Sequence, residues 1–300
     1  MEILRAIGSV RQWVGAQRAQ GRPIHFVPTM GYFHEGHLSL MRRARDDGGA
    51  VIVSLFVNPL QFGPNEDLER YPRDFERDRQ MAESVGVEAI FYPEVAEMYP
   101  AGYQTEVRVK ELSKPLCGRS RSGHFEGVAT VVLKLFNIVT PDRAYFGMKD
   151  YQQVRVIQQM VRDLNLPVEI VPCPIVREAD GLAMSSRNVY LSPDERAAAT
   201  VLYRSLQWAQ AQYATGERDA RRLREGVYAQ IAAEPLARID YVEVVDAETL
   251  QPIERLERPA LVALAVFFGT ARLIDNCLLS ASAAHEHRHR PADEADQQRA

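Results

Sequence analysis

His34 and His37 lie three residues apart in the stretch Pro28-Thr29-Met30-Gly31-Tyr32-Phe33-His34-Glu35-Gly36-His37. The apolar run Ile24-His25-Phe26-Val27 before it reads as a strand, and Leu38, Met41 and Ala44 after it recur at helical spacing. Strand, glycine turn and helix in that order put unpaired backbone N–H groups and the positive end of a helix dipole beside the turn. That is a natural seat for phosphate, with Met30 and Gly31 at the turn. Two imidazoles on one helical face can donate to phosphoryl oxygens there. Zinc chemistry fits poorly. The histidines of H-E-x-x-H are four apart, these are three apart, and no third ligand is near. The dinucleotide fingerprint G-x-G-x-x-G is absent.

Polar residues recur at other expected strand ends, where open parallel sheets bind ligands. Asn58 and Gln61 follow the apolar run Val51–Val57; Asn58-Pro59 equally makes a turn. Arg119 and Arg121 sit in a basic loop before Gly123-His124-Phe125. Such arginines can close over phosphate or carboxylate, although alone they read as a solvated loop. Gly147-Met148-Lys149-Asp150 repeats the strand-to-helix logic, with Lys149 as a point cation and Gln153 one turn into the next helix. Met184-Ser185-Ser186-Arg187-Asn188 is a polar loop whose hydroxyls and arginine suit triphosphate oxygens. A capping or turn role for the two serines competes with that.

These groups need a scaffold. Apolar periodicity gives a first helix within residues 1–20, a charged helix within 66–85 that starts near Tyr71–Asp74, an apolar helix over 128–139 and another over 151–164. Strands are expected at 24–27, 51–57, 87–92, 143–146 and 168–176, the last an edge because of Pro172 and Pro174. A further strand is possible at Thr105–Val109. Ser192-Pro193-Asp194-Glu195 is a strong helix start. Helices over 193–213 and 219–233 precede strands at 240–245, 261–268 and 272–278. The expected architecture is α/β: a Rossmann-like parallel-sheet domain over 1–175, then a smaller α+β domain over 176–280 that closes the site. Residues 281–300 are polar and read as a disordered tail.

Composition narrows the function classes. The chain has 300 residues, 46% hydrophobic and 25% charged, as ordinary globular proteins do. A net charge of -4 gives no general pull towards nucleic acid or anionic membrane. No apolar run is long enough to span a bilayer, and no basic segment with an apolar h-region opens the chain. Three scattered cysteines suit a reduced cytoplasm and form neither a disulfide framework nor a metal site.

Five motifs, taken in order, resemble the pantothenate synthetase family, the ATP-dependent pantoate–β-alanine ligases within the nucleotidyltransferase-like Rossmann superfamily. They are Pro28–Gly31 with His34 and His37, Phe56–Phe62, Gly123–Phe125, Lys149–Gln153 and Met184–Asn188. The likeness runs from about residue 3 to 278. Ser122, Met148 and Glu126 depart from the family's usual Pro, Glu and Arg. The resemblance implies ATP, Mg²⁺, pantoate and β-alanine as ligands, a pantoyl-adenylate intermediate, a role in coenzyme A biosynthesis and a homodimer. It implies catalytic roles for His34, His37 and Lys149. It places ATP against Met30, Gly31, Gly147, Met148, Asp150, Val176, Met184, Ser185, Ser186 and Arg187. Gln61, Gln153, Asn58 and Arg121 would bind pantoate or β-alanine, with Asp150 a helper for Mg²⁺. Two other readings share these features. A nucleotidylyltransferase acting on a phosphate ester would want cations in place of Gln61 and Gln153. A nucleotide-binding regulatory module would need neither those amides nor a second phosphate loop.

Overall fold

The computed structural model describes residues 1–64 and 66–280. The predicted tail, 281–300, lies outside the described residues. In chain order the elements are β1 (Glu2–Leu4), α1 (Ile7–Ala19), β2 (Ile24–Thr29), α2 (Glu35–Asp46), β3 (Ala50–Leu55), a 3-10 turn at Pro59–Gln61, α3 (Phe75–Ser84), β4 (Ala89–Phe91) and α4 (Val95–Met98). Then come α5 (Cys117–Ser120), α6 (His124–Val139), β5 (Arg143–Gly147), a 3-10 turn at Met148–Asp150, α7 (Tyr151–Asp163), β6 (Glu169–Cys173) and a 3-10 turn at Ser186–Tyr190. The chain continues through α8 (Pro193–Ala198), α9 (Val201–Ala214), α10 (Ala220–Ala232), β7 (Ala237–Asp246), β8 (Ala260–Phe268) and β9 (Ala271–Leu279).

β1 to β6 form one parallel sheet in the order β1-β4-β3-β2-β5-β6. All six residues of β3 are buried, as its unbroken apolar run requires of a central parallel strand. After β4 the strand order reverses, and β5 pairs with β2. A crevice therefore opens between the carboxyl ends of β2 and β5, the position that binds ligands in open α/β sheets. β6 takes the edge, where Pro172 costs no ladder bond on the outer side and Pro174 follows the strand's end.

The smaller sheet is antiparallel, in the order β7-β8-β9. β8 reads as continuous hydrophobe because both its faces are covered. Val262, Leu264 and Val266 pack with α9 and α10, while Leu261, Ala263 and Ala265 join the core built around α6 and α7. The α/β architecture with a smaller α+β part is as expected.

Several boundaries differ from the sequence reading. Glu2–Leu4 is a strand paired with β4, where helical spacing suggested helix. The charged helix, expected to start near Tyr71–Asp74, starts at Phe75 with Asp74 as its cap. Residues 105–109 form no strand. The apolar helix begins at His124, four residues early, and the helix over 193–213 is broken at Ala199-Thr200.

Candidate active site

The crevice holds two adjoining chambers, of about 220 Å³ and about 310 Å³. Arg121, Lys149, Asp150, Gln153, Ser185 and Arg187 line both. The first chamber runs over β2 and β5 and takes in every residue the family resemblance assigns to a ligand except Gly31 and Met148, while Arg119 lies outside it, paired with Glu243.

The two histidines sit at the start of α2, with one change from expectation. His34 is not on the helix: it is the N-cap, with extended backbone, and His37 is the third helical residue. The rings still meet, 4.2 Å between centroids. His34 Nδ1 accepts from Gly36 N at 3.1 Å, and His37 Nδ1 accepts from His34 N at 3.3 Å. A ring nitrogen that accepts carries no proton, so each neutral ring keeps its hydrogen on Nε2. The pair thus caps its own helix while presenting two uncharged N–H donors. Burial, then the charges of Lys149 and Arg77, push His34 down to about 4. Burial and then His34 hold His37 well below its ordinary value. Both are neutral near pH 7 until an anion arrives.

The turn before them is held from α3. Asp78 accepts from Tyr32 N and Phe33 N, both at 2.6 Å, although burial pushes its carboxyl upward. Gly31 has φ +90°, and a Cβ there would stand 3.0 Å from Asp78 Oδ2 and from Leu55 Cδ2. Gly31 therefore shapes the turn from behind the cleft wall. Nothing in the local pattern of α3 marks Asp78; only its 1% exposure separates it from the charged residues around it.

The amides divide by role. Gln153 lies on the wall with no side-chain hydrogen bond among the described residues. Gln61 is held by Asn58 Nδ2 at 3.1 Å and lies 3.0 Å from Met30 Sδ. Asn58 is 1% exposed and already bonded to Gln61, Gly127 O, Leu60 N and Tyr99 OH. Its side chain is committed to fixing Gln61. Gly127 comes so close that a Cβ on it would lie 2.3 Å from Leu60 O.

The cations also divide. Lys149, between β5 and α7, has an ammonium with no hydrogen bond or ion pair among the described residues, and burial lowers its pKa. Arg121 is forked by Glu66 at 2.7 and 2.5 Å, and Arg187 by Asp67 at 2.8 Å on both arms. His124, which the sequence reading left without a role, joins them. Arginine cannot accept, so His124 Nε2 accepts from Arg121 at 3.0 Å and its Nδ1–H donates to Gln61 O at 2.9 Å. Burial and then Arg121 push His124 down to about 3.

Ser185 caps its own turn by accepting from Arg187 N. Ser186 donates to Tyr32 O at 3.1 Å, so this loop is tied to the histidine turn 154 residues away. Val176 O accepts from Met184 N, and Met148 packs against the main core. Among the described residues no cluster of three or more His, Cys, Asp or Glu could hold a metal. Asp150 is the exception to the pairing of carboxylates around the cleft, with no hydrogen bond or ion pair among the described residues. No described helix is long and apolar enough to cross a membrane.

The family model for pantoate-beta-alanine ligase matches residues 2–278. A pantothenate synthetase of Thermotoga petrophila is 58% identical over 279 residues, covering 93% of this chain and 100% of that one. One from Moorella thermoacetica is also 58% identical, covering 93% and 99%. The crystal structure of the pantothenate synthetase of Thermus thermophilus superposes with a TM-score of 0.88 at 47% identity, over 92% of this chain and 99% of that chain. A pantoate-beta-alanine ligase from Francisella tularensis, complexed with beta-gamma ATP and beta-alanine, gives 0.75 at 35% identity, over 93% and 97%.

Proposed function

The chain belongs to the pantoate–β-alanine ligase family and is a ligase that forms pantothenate, and on that premise we propose that it works through a pantoyl-adenylate. A carboxylate is a poor electrophile towards an amine at neutral pH. In the proposed sequence a pantoate carboxylate oxygen attacks the α-phosphorus of ATP. A P–O bond forms, the bond from the α-phosphorus to the bridging oxygen breaks, and pyrophosphate leaves. The amine of β-alanine then attacks the activated carbonyl and AMP departs.

One observation carries this reading: two neutral N–H donors and an ammonium without a partner among the described residues converge beside the amides of Gln61 and Gln153. His34 and His37 would donate Nε2–H to triphosphate oxygens, where charge develops as pyrophosphate leaves. Lys149 would neutralise that charge, and an incoming phosphate would in turn raise both histidines. Gln61 and Gln153 suit a neutral hydroxyl and a carboxylate, and a phosphate-ester acceptor would want cations there. The apolar wall of Val128, Val131 and Val132 on α6 suits pantoate's dimethyl carbon. Gly147, Val176 and Met184 would line the adenosine site.

Ser185 and Arg187 would follow the β- and γ-phosphates, Arg187 exchanging Asp67 for phosphate. Arg121 would answer a substrate carboxylate in the same way, leaving Glu66. Mg²⁺ would arrive on the nucleotide, with Asp150 as the protein group able to meet it, and would neutralise phosphate charge. In this reading residues 1–175 bind ATP and pantoate and residues 176–280 close the cleft. A homodimer, a cytoplasmic location and a place in coenzyme A biosynthesis complete the proposal.

The test is product formation with purified protein. AMP should appear only when pantoate, β-alanine, ATP and Mg²⁺ are all present, with pantothenate identified by mass spectrometry. Turnover with phosphopantetheine in place of pantoate would overturn the assignment.

A further inference from the structure

Asn276 stands on β9 of the small sheet, opposite Ala263, and is 6% exposed. Its Nδ2 donates to Met148 O at 3.0 Å and to Lys149 O at 2.9 Å, 128 and 127 residues away in sequence. Those carbonyls belong to the 3-10 turn that carries Lys149 from β5 into α7. Asp275, next on the strand, forks Arg177 at 2.6 and 2.9 Å. Arg177 also donates to Gly181 O and bridges Ala183, so it braces the hairpin that leads into Met184–Arg187. One dipeptide of the C-terminal sheet thereby holds the bases of both cationic elements of the cleft. Lys149 has no side-chain partner among the described residues. Its backbone therefore sets where its ammonium can reach.

We propose that Asn276 is a positioning residue for adenylate formation, aiming Lys149 through the two carbonyls it grips. The residue type fits the task. A primary amide supplies two donors to two neighbouring carbonyls, serine supplies one, and aspartate would set an anion against both oxygens. The inference rests on the ligase reading above and deepens it.

The experiment is pantoate-dependent exchange of labelled pyrophosphate into ATP. It is run on wild type, Asn276→Ala, Asn276→Ser, Lys149→Ala and the Lys149→Ala/Asn276→Ala double variant, with melting temperatures alongside. Asn276→Ala should lower the exchange kcat about tenfold or more, since small misplacements of a catalytic group cost that much. The KM for pantoate should stay within about twofold, because Asn58 holds Gln61 and Gln153 is carried by α7 itself, outside the turn that Asn276 grips. Asn276→Ser should recover part of the rate and stands in should Asn276→Ala fail to fold. In the Lys149→Ala background Asn276→Ala should cost nothing further, because contacts that act through one group are non-additive. A full additional loss in the double variant, or wild-type kcat in Asn276→Ser and Asn276→Ala, would overturn the inference. Absence of exchange in the wild type would instead count against the adenylate reading itself.

Discussion

At neutral pH the cleft is set by three uncharged imidazoles, and their depressed pKa values make pH a direct probe. His34 is lowered to about 4, His124 to about 3, and His37 well below 6.5. Between about 6.5 and these values the unfolded chain binds protons that the folded chain refuses. Stability therefore rises with pH across that window and is lost as pH falls below about 6.5. Melting temperature should drop by several degrees from pH 7.5 to pH 5, a range in which Asp67, held low by Arg187, stays ionised. A flat profile would show that the rings are not buried as described. Replacing either ring tests its chemistry. His34→Ala and His37→Ala should fold, the former with about 1 kcal/mol less stability for the lost cap. Each should lose about a hundredfold or more in adenylate formation at saturating ATP. Near-wild-type rates in either would contradict its role. The pair was legible from spacing after a glycine turn. Asp78 and Asn276 were not, since a lone polar residue in a helix or strand acquires its role only from distant backbone.

At the scale of elements, the site depends on close approach between α6 and the 3-10 turn at Pro59–Gln61. Gly127→Ala would drive a methyl into the Leu60 carbonyl and Gln61 N. Overpacking of this kind costs about 1–3 kcal/mol. We expect a lower melting temperature and a raised KM for pantoate, with ATP binding little changed. An unchanged pantoate KM would mean that Gln61 does not hold that substrate. The apolar runs 24–27, 51–57 and 143–146 were readable as strands because parallel strands buried on both faces leave continuous hydrophobe. β1 was not: three residues at a sheet edge are too short to show a period of two, and Ile3 and Leu4 fall in step with the helix that follows. Arg121 and Arg187 were readable as cations of the cleft. Their carboxylate forks were not, because Glu66 and Asp67 lie in an irregular segment with no periodicity to place them.

For the whole molecule, the small sheet shares its inner face with the main core and reaches the cleft through Asp275 and Asn276. The last described element ends at Leu279, and the Thermotoga petrophila relative is matched over 279 residues and 100% of its length. Truncation after Ser280 should leave turnover and melting temperature nearly unchanged. A fall of several degrees would show that residues 281–300 contribute to the fold. The central claim is that the carboxylate is activated before the amine is needed. The most direct measurement is exchange of labelled pyrophosphate into ATP with only pantoate, ATP and Mg²⁺ present. Exchange is expected without β-alanine, strongly reduced in Lys149→Ala, with Gln153→Ala weakening pantoate binding more than ATP binding. Exchange that strictly required β-alanine would contradict the claim.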